Sequence, residues 1–277
     1  MSPRILMCPP DHYGIEYEIN PWMNRARPAD QPVAVQQWQA LRELLTAAGA
    51  ETLLIDPVPG SPDLVFTANA ALIYQQRAIL SRFRHPERQR EEDIFRRWFE
   101  SQGYEVVESP AGISFEGAGD ALFCGDTLFA GYRMRSDALG HQQIAALLDC
   151  RVIPLELVDP YYYHLDTCFC PLAPGVAAWF PEAFDDYGRR AVCELIEELI
   201  EVPAEEARSF ACNAVVVGRT VVTNAGCPRF HAALQQRGFE PLATPLHEFV
   251  KAGGSAKCLT LRLDGEEAAA WKSTDNV

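Results

Sequence analysis

A thiol, an imidazole and a carboxylate stand where together they could hydrolyse a carbon bonded to nitrogen through a covalent intermediate. They are Cys258 in Gly254-Ser-Ala-Lys-Cys258-Leu, His164 in His164-Leu-Asp166-Thr and Glu116 in Phe115-Glu116-Gly-Ala-Gly-Asp120. An ionised cysteine is a strong nucleophile, activated by a neighbouring cation or histidine. A histidine protonates a departing amine and then draws a proton from water, and a carboxylate orients it. Cys258 follows Gly253-Gly254-Ser255, a tightly turning segment able to present a side chain to a substrate. The remaining cysteines, at 8, 124, 150, 168, 170, 193, 212 and 227, read as small buried hydrophobes. Of the six histidines only His164 lies inside such a motif; His12, His85, His141, His231 and His247 read as structural.

Asp120 and Asp166 are left to bind something cationic and planar. Two acids facing one cavity repel, and one takes up a proton unless a cation lies between them. A guanidinium offers five N–H donors in a fixed fork that carboxylates meet with paired, charge-assisted hydrogen bonds. The group matched to these residues is therefore a guanidine.

The motifs recur along the chain. Asn69 in Phe66-Thr-Ala-Asn69-Ala, Asp120, Asp166, Asn213 in Phe210-Ala-Cys-Asn213-Ala and Cys258 follow one another at spacings of 51, 46, 47 and 45 residues. Such near-constant spacing marks about five copies of one supersecondary unit. Each polar residue is expected on a short apolar inner strand, and copies arranged around an axis bring the five together at its centre.

Hydrophobic periodicity places the other elements. Strands are expected at 4–8, 51–56, 104–108, 151–155 and 258–263. Hairpins are expected at 64–70 with 72–83, and within 121–132, 167–180 and 211–224. Helices are expected at 33–48, from Pro86 to near Gly103, at 137–149, at 182–200 with Leu195, Ile196 and Leu199 inward, and from Pro228 to Gly238. Edges are best protected when the last unit meets the first. The expected architecture is α/β, a closed five-bladed α/β propeller with pseudo-fivefold repeats, helices outside and inner strand ends at the axis. The repeat argues for one domain over 1–277, with 264–277 as a tail that frays.

The charge balance, −14 from 24 basic and 38 acidic residues, contains no Lys/Arg run, so nucleic acid is excluded as a natural partner while a small cation suits it. No apolar run approaches the roughly 18 residues that cross a bilayer, and the opening residues do not pattern as a secretory leader. A reducing, cytoplasmic setting with free thiols is the expectation. Cys168-Phe-Cys170 has no second Cys or His pair at zinc-site spacing, so neither metal nor other cofactor is expected.

Taken together, these motifs resemble the guanidino-group-modifying, or pentein, superfamily. The resemblance rests on Met7-Cys-Pro-Pro-Asp11 through Glu18-Ile-Asn20-Pro-Trp22-Met, Phe66-Thr-Ala-Asn69-Ala, Phe115-Glu116-Gly-Ala-Gly-Asp120, His164-Leu-Asp166-Thr-Cys-Phe-Cys and Ala252-Gly-Gly-Ser-Ala-Lys-Cys258-Leu-Thr-Leu, which span essentially the whole chain. Within the superfamily the chain is most similar to arginine dihydrolase domains. The resemblance implies a five-bladed α/β propeller with Cys258 as nucleophile, His164 as general acid and base, and Glu116 as the triad carboxylate. It places Asn20, Asn69, Asp120 and Asp166 around the substrate and Arg88 on its carboxylate, with Arg82, Arg84 and Arg90 close by as alternatives.

Two departures stand out. Arginine deiminases and dimethylarginine hydrolases of the superfamily typically show Glu-x-Gly-Asp, whereas three residues separate Glu116 from Asp120 here, so either acid is a possible partner for His164. Arginine deiminases also have Asp where Asn69 stands. The implied reaction is hydrolysis of arginine to citrulline through a thiouronium intermediate, then, with Asn69 tolerating the neutral ureido group, on to ornithine, ammonia and carbon dioxide. Alternatives are a dimethylarginine dimethylaminohydrolase or arginine deiminase stopping at citrulline, an amidinotransferase, or a non-catalytic binding protein on the same fold. The expected partner is a small guanidino compound, and a homo-oligomer is left open.

Overall fold

The computed structural model describes residues 2–109 and 112–265. Fifteen strands form five three-stranded sheets of a single pattern. In four of them a hairpin is followed by a helix and a parallel outer strand. β3 (Ala71–Tyr74) and β4 (Arg77–Leu80) lead through helix Pro86–Ser101 to β5 (Glu105–Val107). β6 (Ala121–Cys124) and β7 (Thr127–Tyr132) lead through helix Ala138–Leu148 to β8 (Arg151–Glu156). β9 (Phe169–Ala173) and β10 (Val176–Trp179) lead through helix Asp186–Leu195 to β11 (Glu198–Glu201). β12 (Val215–Val217) and β13 (Thr220–Asn224) lead through helix Pro228–Gln236 to β14 (Glu240–Thr244).

The fifth sheet is composite. β1 (Arg4–Met7) continues through helix Gln31–Ala47 to the parallel β2 (Glu51–Leu54), while its antiparallel partner is β15 (Leu261–Arg262), from the far end of the sequence. Leu6 pairs with Leu261 and Ile5 with Arg262, so the two ends of the chain complete one module. This is the five-module α/β arrangement that the spacing predicts.

Local signals place the helices. Asp30 caps Gln31–Ala47 by accepting from Val33 N–H at 3.2 Å, and Trp38, Leu41 and Leu45 turn inward. Pro86 opens its helix and Phe95 and Phe99 are fully buried against Ala78 and Leu80. Burying side chains of this size contributes about 1.5–3 kcal/mol each. The apolar clusters run between neighbouring modules: one joins Ile5, Met7 and Trp38 of the first to Val215, Val217 and Phe249 near the end.

Three expectations are corrected. The polar repeat residues are not on strands; they occupy tight turns just ahead of the inner strands. Asn69 ends a 3-10 turn (Thr67–Asn69), Asp120 ends a single helical turn (Gly117–Asp120), Asp166 lies in a 3-10 turn (Leu165–Thr167), and Asn213 and Cys258 are in turns before β12 and β15. Segment 64–70 is accordingly two 3-10 turns, and the hairpin lies wholly within 71–80. The helix expected to 200 stops at Leu195, because Glu198–Glu201 is needed as the outer strand beside β10. Asp264 is held by Arg262 at 2.8 and 2.9 Å, and residues 266–277 of the expected tail lie outside the described residues. Among the described residues, no helix is long and apolar enough to cross a membrane.

Candidate active site

The turns ahead of the inner strands converge, and Cys258 is buried among them. Its Sγ lies 3.5 and 3.7 Å from the two oxygens of Asp166. Asn213 brackets the same residue: its Nδ2 donates to Sγ at 3.1 Å and its Oδ1 accepts from the Cys258 N–H at 3.1 Å. Asn213 also donates to the Asp166 carbonyl at 3.0 Å, tying the thiol and the acid together. Burial, and then the Asp166 charge, push the thiol well above its ordinary range, so the resting group is protonated. Gly254 is required here, since a Cβ would run into the Phe66 ring.

His164 Nε2 is 2.7 Å from Glu116 Oε2, which decides between the two acids. Glu116 also accepts from Arg135 Nη1 at 3.1 Å and from the Arg84 backbone N–H at 3.2 Å. Burial alone would raise its carboxyl; the Arg135 charge, the His164 hydrogen bond and Arg88 outweigh that and hold it well below the usual range. Glu116 is thus ionised and able to steady an imidazolium. Asp120, expected around the substrate, is held from two sides. Ser136 donates to its Oδ2 at 2.6 Å and the Leu165 N–H to its Oδ1 at 3.1 Å, while Ser136 accepts from the Glu116 N–H at 3.0 Å. Both oxygens are therefore engaged in fastening the turns that carry Glu116 and His164. Burial pushes Asp120 up to about 6.

A small cavity beside the thiol is lined by Asn69, Arg88, Arg135, Asp63, Tyr163 and Cys258, with Ile19, Asn20 and Met23 from the segment that roofs it. Of the four arginines proposed for a carboxylate, only Arg88 lines this cavity; Arg82 donates to the Ser109 carbonyl, Arg84 to the Arg135 carbonyl and Asp137, and Arg90 to the Gly60 carbonyl. Asn20 reaches the rim with its amide already engaged, donating to the Ala252 carbonyl at 3.0 Å and accepting from the Trp22 N–H at 2.9 Å. It shapes the roof.

Three participants escaped sequence reasoning. Arg135 donates to Glu116 and to the Ile19 carbonyl and lies 4.6 Å from the Tyr163 ring centroid. Asp63 is buried on the cavity wall beside Tyr17, and among the described residues its Oδ1 has no partner within ordinary hydrogen-bond distance. Ser136 bridges the two acidic turns. Asp63 lies in the 3-10 turn Pro62–Val65 and Arg135 and Ser136 follow β7, and the inner-turn spacing says nothing of either place.

Residues 16–264 match the family model described as N,N dimethylarginine dimethylhydrolase, eukaryotic. The chain is 48% identical over 265 residues to the bifunctional arginine dihydrolase/ornithine cyclodeaminase AgrE of Nostoc sp., covering 94% of this chain and 38% of that protein. It thus spans well under half the length of that relative. It is 40% identical to an N(G),N(G)-dimethylarginine dimethylaminohydrolase of Mycobacterium tuberculosis, covering 94% and 85% of the two chains. Among solved structures, the N-terminal domain of ArgZ covalently bound to a reaction intermediate superposes with a TM-score of 0.92 at 47% identity, over 95% of this chain and 98% of that one. A dimethylarginine dimethylaminohydrolase adduct shares the fold at a TM-score of 0.80 and 22% identity. Matched by the family model over residues 16–264 and by relatives along nearly its whole length, the chain belongs to the dimethylarginine dimethylhydrolase family of guanidino-modifying enzymes.

Proposed function

We propose that this protein is a cysteine-dependent hydrolase of arginine that carries the substrate through two rounds, to ornithine, carbon dioxide and two ammonia molecules. The observation that carries the reading is the Cys258 Sγ, 3.5 Å from the Asp166 carboxylate, on the wall of a cavity that also presents Arg88, Arg135 and the buried Asp63. The acid beside the sulfur takes a guanidinium, the arginines take a carboxylate, and Asp63 takes an ammonium. These are the three charged groups of an α-amino acid with a guanidino side chain.

The resting thiol is protonated because burial, and then the Asp166 charge, oppose its ionisation. A guanidinium bound to Asp166 offsets that charge, so the thiol loses its proton when substrate is present. The sulfur then bonds to the guanidino carbon, and His164, steadied by Glu116, delivers a proton as the C–N bond to ammonia breaks. Water deprotonated by His164 attacks the same carbon, the S–C bond breaks and citrulline forms. A second round at the ureido carbon releases ammonia, and the resulting carbamate loses carbon dioxide to leave ornithine. Overall, arginine and two waters give ornithine, carbon dioxide and two ammonia.

Support comes from the 48% identity to proteins named for arginine dihydrolysis and from an ArgZ domain solved with its substrate at 46% identity. The M. tuberculosis relative favours a second reading, release of an alkylamine from a methylated arginine. Incubation with arginine and with dimethylarginine, followed by identification of amines and amino acids, tests both. Ornithine from arginine is the expected result. Stoichiometric citrulline with no ornithine rejects two-round hydrolysis, and dimethylamine from dimethylarginine with arginine untouched supports the second reading.

A further inference from the structure

The first turn of helix Pro86–Ser101 places Arg88 and Glu91 on one face, both buried. Glu91 accepts from Arg88 Nε at 3.1 Å and from Nη2 at 2.7 Å, a two-point clasp, while Nη2 also donates to the Asp63 carbonyl at 3.1 Å. The Phe83 ring centroid lies 4.4 Å from the guanidinium carbon. Held this way, Arg88 has Nη1 left to aim at Asn69, and it donates to Asn69 Oδ1 at 2.9 Å.

A guanidinium has no acceptor, so the amide atom facing Arg88 must be oxygen. The Asn69 NH2 is thereby turned the other way. There it lies against Gly119, whose missing side chain makes room for it: a Cβ would run into Nδ2 and come within 3.5 Å of His164 Cγ. Among the described residues its hydrogen bond is a long one, 3.5 Å to the Glu116 carbonyl, so its donor capacity is little used. A guanidinium is all donor and gains nothing from an NH2. A ureido group carries a carbonyl oxygen, which an NH2 holds well.

We propose that Glu91 is a positioning residue: by clasping Arg88 it locks the Asn69 amide with its NH2 towards the reacting carbon, where that donor retains the ureido oxygen for the second hydrolysis. This rests on the two-round reading above and assigns the device that separates its two steps.

The test measures citrulline and ornithine formed from arginine, and ornithine formed from citrulline supplied directly, for unaltered protein, Glu91→Gln, Asn69→Asp and the double variant. With Glu91→Gln the rate on citrulline falls about tenfold or more, the loss expected for one misplaced hydrogen bond to a reacting group. Citrulline release from arginine falls by less than about threefold, so citrulline accumulates. In the Asn69→Asp background, where the NH2 is gone, adding Glu91→Gln leaves the citrulline-to-ornithine ratio unchanged. Equal slowing of both steps by Glu91→Gln, or an unmoved ratio, overturns the proposal. If Glu91→Gln does not fold, Glu91→Asp decides, since the shorter acid keeps the charge beside Arg88 yet cannot clasp it at two points. It shifts the product ratio the same way, and an unmoved ratio there overturns the proposal too. Failure of the underlying reading looks different: unaltered protein then makes no ornithine at all.

Discussion

At residue 258 the surroundings of the sulfur matter more than its identity. Nine cysteines are present, and burial raises most of them, Cys168, Cys170 and Cys212 among them. Among the described residues, only Cys258 combines a carboxylate 3.5 Å from the sulfur with a place on the wall of the small cavity that Arg88 and Arg135 line. Because its thiol is raised, iodoacetamide should alkylate it far more slowly at pH 7–8 than a free cysteine. The rate should still climb with pH beyond 9, and a bound guanidine that is not turned over should flatten that climb. A plateau below pH 8 in the free protein would show that Asp166 does not control the thiol. Cys258→Ser should fold and lose turnover by several orders of magnitude, read as product per hour from arginine. Much of this was legible beforehand, because Asn69, Asp120, Asp166, Asn213 and Cys258 share one place in each repeat. Their division of labour was not. Asp120 accepts from Ser136 and the Leu165 N–H, while Asn213 and Asp166 both meet the sulfur, and spacing cannot assign such different contacts to residues that share one place in the repeat.

Secondary structure was readable wherever periodicity and punctuation agreed. Pro86 announced its helix, and the hairpins expected within 121–132 and 211–224 turn at Gly125-Asp126 and Gly218-Arg219. Residues 196–201 misled because Leu195, Ile196 and Leu199 fit a helical stripe; the pairing of Val176 with Glu198 through Trp179 with Glu201 settles them as a strand, a tertiary preference that outweighs local propensity. Helix Ala138–Leu148 carries a measurable consequence. His141 is buried on it, and burial lowers it to about 4 from its ordinary 6.5. The unfolded chain therefore binds the extra proton between those values. The stability gained from neutral His141 is fully present above pH 6.5 and is lost as pH falls to about 4, amounting to roughly 3 kcal/mol. Asp120 and Glu91, raised to about 6 and about 7, act in the opposite sense, so the comparison must be between unaltered protein and His141→Phe. Denaturant melts at pH 7 and pH 4 should show the unaltered protein losing about 3 kcal/mol more than the variant. Equal losses would mean that His141 is protonated in the folded state.

Across the whole molecule, the five sheets contact one another through apolar walls, and the composite sheet is the one whose strands come from opposite ends of the chain. Leu261 is fully buried opposite Leu6, three residues after the nucleophile. Leu261→Ala should cost about 2–5 kcal/mol, and loss of turnover on heating should coincide with deuterium uptake at the Ile5 and Leu6 amides. Activity that outlasts that uptake would show that the thiol is positioned without the β1–β15 pairing. The net charge of −14 also belongs to this scale: association with a cationic substrate should slow as salt is added, more steeply than for a neutral one. Translation adds a temporal side to the split module. A ribosome delivers residue 258 only after the other four modules have emerged, and the strand that seats it must then find a partner made at the very start. The thiol's placement therefore waits on the pairing of β15 with β1, and a copy that has not yet made that pairing has its nucleophile unseated.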